Sequence, residues 1–313
     1  MSLKETKNGR GDTLVRATAA DWLIPCMAAV TTETVSEAAR RHGTTGTVSA
    51  ALGRTLTGTL LLGAGLKEFD RLTVQIECGG PVGGITAETN AQGTVRGYVR
   101  NPEADMPLNE SGKFDVSAVV GGGMFYVTYE SGFDIGLYRE PYRGAVPITS
   151  GEIGEDFAYY LAKSEQIPSA VMLGVLVRAR ESGETYIEAA GGLMIQVMPG
   201  ADSATVAAIE ESVRRTPHTT ALIREGARAE DLLRTALGEV PFEILEEREV
   251  GFACTCSYER AASLVSSIDR AELESMLRED KGPALTCHFC NETYRIDEPS
   301  LAGMVERSKD SRA

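Results

Sequence analysis

Cys254-Thr255-Cys256 and Cys287-His288-Phe289-Cys290 hold four of the six cysteines of this chain, close to its C-terminal end. The pattern is C-x-C, thirty residues, then C-x-x-C. Zn(II) favours four-coordinate tetrahedral sites and binds thiolates well, and C-x-x-C at a turn presents two sulfurs to one metal. Two such pairs complete the shell. No position stays open for water, so a metal held by Cys254, Cys256, Cys287 and Cys290 is structural rather than hydrolytic. His288 finds no place in a filled shell and is expected beside the site. A segment of about sixty residues has too little core to fold alone, so metal binding energy is largely folding energy here. The same thiolates are the oxidisable form of cysteine. Two readings therefore stand together: a zinc-stapled module, and a redox switch that unfolds when oxidation removes the ligands. Four cysteines permit three pairings. Pairing neighbours closes tiny loops with almost no tertiary constraint, whereas cross-pairing ties the two halves together.

Outward from this segment, 313 residues are enough for one large domain plus a smaller one, with a sizeable core. The 42% hydrophobic and 24% charged content is that of an ordinary soluble globular protein. A net charge of −14 disfavours a nucleic-acid partner, because phosphate binding needs a basic footprint. Residues 1–12 are polar with no apolar core, so they read as a disordered tail and not as a secretory signal. The stretch Val48–Leu66 is interrupted by Arg54, threonines and glycines, and reads as a buried helix and not as a membrane span. Cysteine pairs in a cytosolic chain point to metal or redox chemistry more than to structural disulfides.

The expected fold class is α+β, with an N-terminal sheet and helix domain over 1–200, a helical linker over 201–249 and a zinc module over 250–313. Strands are predicted at Thr13–Thr18, Ile24–Thr31, Leu72–Cys78, Gly83–Thr89, Thr94–Val99, Met124–Tyr129, Val171–Val177 and Glu184–Met198. Thr34-x-x-Glu37 has the form of a capping box, opening a helix that Gly43 stops. A long helix follows over Thr47–Gly65, and another over Glu152–Ser164. Past Pro199-Gly200 the period is helical without strands, at Ser203–Arg215, Thr219–Glu225 and Ala229–Leu237. Such short helices are marginal alone and need neighbours to pack on. Between the cysteine pairs, Ser257 and Asp269 cap helices over Tyr258–Ser267 and Arg270–Glu279.

Other candidate chemistry is weaker. Glu152, Glu155 and Asp156 are acids near a helix start and complement its dipole. Gly79-Gly80-Pro81-Val82-Gly83-Gly84 lacks the lysine and hydroxyl of a phosphate loop and reads as a turn. Arg40-Arg41-His42 is a charged helix end. Cys26 and Cys78 lie in strand-like contexts and are expected to be inert buried thiols, Cys78 the more exposed. No Ser/His/acid constellation stands out, so no catalytic residue is assigned and the chain is not expected to be an enzyme.

Several motifs are recognisable together: Cys287-His288-Phe289-Cys290-Asn291-Glu292, Arg41-His42-Gly43-Thr44, Ser49-Ala50-Ala51-Leu52-Gly53-Arg54-Thr55, Ser150-Gly151-Glu152-Ile153, Asp156-Phe157-Ala158-Tyr159-Tyr160-Leu161 and Gln196-Val197-Met198-Pro199-Gly200. With these, the chain closely resembles the redox-regulated 33 kDa heat-shock chaperones, cytosolic bacterial holdases, over about residues 12–308. The resemblance implies one zinc on Cys254, Cys256, Cys287 and Cys290 in a reduced, inactive form. It implies that oxidation forms the disulfides Cys254–Cys256 and Cys287–Cys290 and releases zinc, after which the module unfolds and the linker loosens. It further implies a homodimer on oxidation that holds unfolding client proteins without ATP in the cytoplasm, with no nucleic-acid or membrane partner. Cys78 and the polar N-terminal extension depart from the family pattern. Two other classes compete: a thiol–disulfide oxidoreductase using Cys287 and Cys290, and a zinc-ribbon nucleic-acid adaptor.

Overall fold

The computed structural model describes residues 11–68, 70–132, 140–279 and 282–310. The chain divides into two compact units, one ending at Ala253 and one beginning at Cys254.

The first unit is built from two antiparallel sheets. One takes strands in the order β10-β1-β2-β9-β8: Phe242–Glu249, Thr13–Ala19, Ile24–Val30, Thr185–Gln196 and Ser169–Ala179. The other runs β11-β5-β4-β3-β6-β7: Gly251–Phe252, Thr94–Val99, Ile85–Asn90, Arg71–Cys78, Gly123–Glu130 and Tyr142–Pro147. Only the short β11–β5 pairing in it is parallel. Alternation sets the faces of the second sheet: Leu72, Val74 and Ile76 turn into the core while Thr73 and Gln75 do not.

Helix α1 spans Thr32–His42 and α2 spans Gly46–Leu62. Every residue of α2 except Arg54 and Leu62 is buried, and it packs on both sheets. Three buried threonines in it stay satisfied by bonding back one turn: Thr55 to Ala51 O, Thr57 to Gly53 O and Thr59 to Thr55 O, at 2.7–2.9 Å. Gly58 lets the Phe157 ring reach the helix backbone, since a Cβ there would lie 2.4 Å from it. Among the described residues no helix is long and apolar enough to cross a membrane.

Three local expectations change. The Thr34 capping box does not form. Instead the Asp12 carboxylate accepts from Glu33 N–H, Thr34 N–H and Thr34 O–H at 3.2, 2.7 and 2.6 Å, capping α1 from outside it. Asp12 is therefore buried and not part of a loose tail, while residues 1–10 lie outside the described residues. Asp156, expected as a dipole acid, is buried at the start of α4 (Gly154–Tyr160) and anchors the preceding loop through Thr149, Ser150 and Ile153.

Burial pushes Asp12 up to about 6, against the hydrogen bonds from Thr34 and Glu33. The folded state thus holds the proton more tightly than the unfolded chain. This group favours folding most below its unfolded value of 3.8, and its contribution is lost as pH rises through about 6. The difference between wild type and Asp12→Asn in unfolding free energy is expected to fall by roughly 3 kcal/mol across that window. Parallel urea-unfolding curves for the two proteins from pH 4 to 7 would rule this out.

The segment expected as a helical linker, 201–249, is packed in the first unit. Its helices are α5 (Ser203–Arg215), α6 (Thr219–Arg224) and α7 (Ala229–Leu237). Leu232, Leu233, Ala236 and Leu237 are fully buried with Val15, Cys26, Ala28 and Leu193 of the first sheet. The surface these helices need is thus a sheet face of their own unit. The segment also ends in a strand, β10, which its helical reading did not contain. Phe242-Glu243-Ile244-Leu245-Glu246-Glu247-Arg248-Glu249 carries no alternation of apolar and polar residues, so pairing with β1, and not local pattern, makes it extended. Helix α3 (Val116–Val120) and strand β7 also escaped the pattern, being short.

Candidate metal centre

The second unit opens with Cys254-Thr255-Cys256, which leads into α8 (Tyr258–Ser266) and α9 (Arg270–Glu279). Ser257 caps α8 through Arg260 N–H, as expected. The Arg260 guanidinium turns back to Thr255 O and Oγ1 at 2.8 and 2.9 Å, fixing the C-x-C loop against the helix. The other cysteine pair sits in the turn of a small hairpin of β12 (Ala284–Thr286) and β13 (Thr293–Arg295). Cys287 N–H donates to Glu292 O and Asn291 N–H to Cys287 O, both at 2.8 Å. Asn291 takes a left-handed conformation at φ 57, which asparagine tolerates. Helix α10 (Glu298–Asp310) closes the unit. Pro299 in its first turn costs it no needed N–H, though it disguises the helix in the sequence. The core is small, formed by Val265, Leu273, Ile296, Leu301, Met304 and Val305.

These elements bring Cys254, Cys256, Cys287 and Cys290 together with all four sulfurs within 4.8 Å of one another. Cys254 and Cys287 lie 3.8 Å apart and Cys256 and Cys290 3.3 Å apart. Thiolates in tetrahedral zinc coordination, with Zn–S near 2.3 Å, are separated by roughly 3.8 Å, so the donor set fits that ion. Backbone N–H groups of Phe289 and Cys290 point at the Cys287 sulfur, and that of Glu292 at Cys290. They stabilise thiolate charge. Burial works the other way and raises the Cys287 and Cys290 thiols above their ordinary value, so a compensating cation matters to this site. His288 adds no ligand atom to the cluster. Tyr294, which sequence reasoning passed over, brings its hydroxyl to 3.2 Å from Cys256 Sγ.

The remaining cysteines are elsewhere. Cys26 is fully buried in the first sheet, and burial pushes its thiol up to about 12. Cys78 is half-buried before the Gly79–Gly84 turn, and burial raises its thiol also. In that turn the N–H groups of Gly79, Gly80, Val82 and Gly83 are taken by backbone carbonyls at 2.8–3.1 Å, so they are not free to cradle a phosphate. The expected charged helix end is neutralised in part, since Glu37 pairs with Arg40 and Arg41.

The sequence model described as "Hsp33 protein" matches residues 12–297. The chain belongs to the Hsp33 family. A 33 kDa chaperonin of Listeria monocytogenes serotype 4a is 48% identical over 301 residues, covering 95% of this chain and 99% of the relative. That of Bacillus subtilis strain 168 is 46% identical over 298 residues, with the same coverage. Among solved structures, the 33 kDa chaperonin (heat shock protein 33 homolog) of Thermotoga maritima superposes with a TM-score of 0.87 at 33% identity. The match spans 96% of this chain and all of that one. The α+β class is thus that of an Hsp33 fold, and this chain carries its four-cysteine cluster near the C-terminus.

Proposed function

We propose that this chain is an ATP-independent holdase chaperone of the cytoplasm, inactive when reduced and zinc-bound and activated by oxidation. The observation that carries the reading is the meeting of four sulfurs in a unit with so small a core. Its relatives are named chaperonins, which supports the chaperone class over an enzyme. The C-x-x-C lies in a hairpin turn and not at a helix start, which also disfavours an oxidoreductase. The division proposed for function is a client-holding body at 1–200, a linker at 201–249 and a switch at 250–313.

Zinc, when bound, supplies the cross-link that folds the switch. Cys254, Cys256, Cys287 and Cys290 hold it as thiolates. Oxidation takes two electrons from each of the pairs Cys254–Cys256 and Cys287–Cys290. With hydrogen peroxide each pair of thiolates consumes one peroxide and two protons from solvent and yields one disulfide and two waters. The pairing follows the family resemblance, since all four sulfurs are near enough for any of three pairings. Disulfides so short in sequence leave the halves untied, and the unit loses its cross-link. β10 and β11 run directly into Cys254, and in this reading the unfolded switch loosens their pairing with β1 and β5. Departure of α5–α7 uncovers Val15, Ala17, Ala28, Leu193 and Ile195, an apolar face suited to unfolding clients. The oxidised form is a homodimer.

Reduced and oxidised protein, assayed side by side for suppression of aggregation of a denatured client, test the function. Equal protection by both forms, or insulin reduction with turnover, would sink it. The linker's grip gives a further test. Leu233→Ala is expected to destabilise the first unit by about 2–5 kcal/mol and to give the reduced protein partial client protection on mild heating. A variant as inert as the reduced wild type at every temperature up to its unfolding would speak against linker release.

A further inference from the structure

The linker's last strand occupies a sheet edge, and its release has a second consequence besides the uncovered apolar face. β10 pairs antiparallel with β1 from Thr13↔Glu249 to Ala19↔Phe242, with a bulge at Arg16/Ala17. Val250 N–H donates to Asp12 O at 3.0 Å. Backbone groups alternate sides along an antiparallel ladder, so Leu14 and Arg16 turn their N–H and C=O toward β10. The far side agrees. Thr31 N–H donates to Ala190 O at 2.8 Å, which turns Ala29 and Met27 to β9 and Ala28 and Cys26 to β1, against Val15 and Ala17.

The two strands are unequal partners. β1 is nearly all buried, including Leu14, Val15, Ala17 and Ala19. β10 is mostly exposed and carries Glu243, Glu246, Glu247 and Glu249, with Ile244 and Leu245 each 38% exposed. Its ion pairs, Arg16–Glu246 and Arg228–Glu247, are solvated and hold it weakly. Its side-chain anchors lie toward its two ends: Arg248, which donates to Ala91 O and Ala64 O at 2.6 and 2.7 Å, and Phe242, partly buried against the cluster that holds α7. Between them, over residues 243–247, β10 is attached chiefly by its backbone, on an edge that is otherwise core.

We propose that the β1 edge is a strand-exchange site, where an extended apolar segment of an unfolding protein replaces β10 and pairs with β1. This rests on the holdase reading above. The chemistry that recognises the partner is its peptide backbone, which every unfolded chain offers regardless of sequence. A segment with apolar residues at alternate positions makes the same ladder and buries more apolar area than the glutamate-rich β10. The atoms that bind it are the N–H and C=O of Leu14 and Arg16.

Amide-resolved hydrogen exchange on the full chain tests this in three states: reduced with zinc, oxidised, and oxidised with carboxymethylated α-lactalbumin, a permanently unfolded protein. Leu14 and Arg16 amides are expected to lose about 100-fold or more of their protection on oxidation and to regain at least about 10-fold with α-lactalbumin, while Val15 and Ala17 stay protected throughout. Leu14 and Arg16 still exposed in a complex that co-elutes with α-lactalbumin would overturn the exchange site and leave the holdase reading standing. Protection regained without α-lactalbumin and rising with protein concentration would assign the edge to a second copy and overturn it equally. Leu14 and Arg16 protected in an oxidised form that suppresses aggregation would overturn both this site and linker release. An oxidised form that neither suppresses aggregation nor binds α-lactalbumin would remove the holdase reading itself.

Discussion

Cys290→Ser is expected to weaken zinc binding at least a thousandfold, a loss of about 4 kcal/mol or more, and to leave residues 254–310 unfolded at 25 °C. Cys290 is the most buried of the four sulfur residues, 3% exposed, and lies closest to the opposite pair. Serine offers a poor ligand in its place, and a three-thiolate site no longer closes the tetrahedron. The unit's own core of a few apolar side chains cannot replace metal-dependent folding energy on the order of 10 kcal/mol. His288→Ala and Cys26→Ser are the controls, since neither residue belongs to the cluster. Competition with a chromogenic chelator measures affinity, and circular dichroism the fold. Cys290→Ser protein with wild-type zinc affinity would overturn the ligand assignment.

Oxidation of the wild-type chain is expected to have an effect as large by a different route. With all four thiols in disulfides, amides of residues 254–310 lose protection by about four orders of magnitude, because the metal contribution exceeds the marginal stability of so small a unit. Protection in α5, α6 and α7 falls next, whereas α2 and strands β3 to β5, with their buried core, keep theirs. Peptide mapping of the same sample reports the pairing, for which Cys254–Cys256 with Cys287–Cys290 is expected. The sulfur contacts of the reduced form run across the pairs, from Cys254 to Cys287 and Cys256 to Cys290. Dominant cross-pairs would keep the two halves tied, and the module would then stay partly folded. If residues 201–300 were as protected in the oxidised, client-holding form as in the reduced one, linker release would be wrong.

The meeting of the four cysteines was legible because their chemistry is local. Soft ligands at C-x-C and C-x-x-C spacing need only two turns and a chain reversal to meet. Amphipathic helices α5, α7 and α9 carry their boundaries in their own period. The alternating strands β3 and β5 are equally self-evident. Other features depend on partners far along the chain. Thr34 looked like a helix cap, yet its hydrogen bonds go to Asp12, twenty-two residues away. Asp156 looked like an acid that only complements a helix dipole and is a buried anchor for its loop.

The sequence by itself determined the α+β class, the four sulfurs and their family, since ligand identity, hydrophobic period and motif order are properties of neighbours in the chain. Where residues 201–249 pack was decided by tertiary structure alone. Leu232 and Leu233 carry the same helical period whether they face a zinc module, water or a sheet, and only their burial against Val15 and Leu193 tells which. β10 lacks any strand pattern and becomes one because the unpaired N–H and C=O groups of β1 must be satisfied. A backbone edge carries no mark in the amino-acid code, and so it appears only when the sheet is assembled.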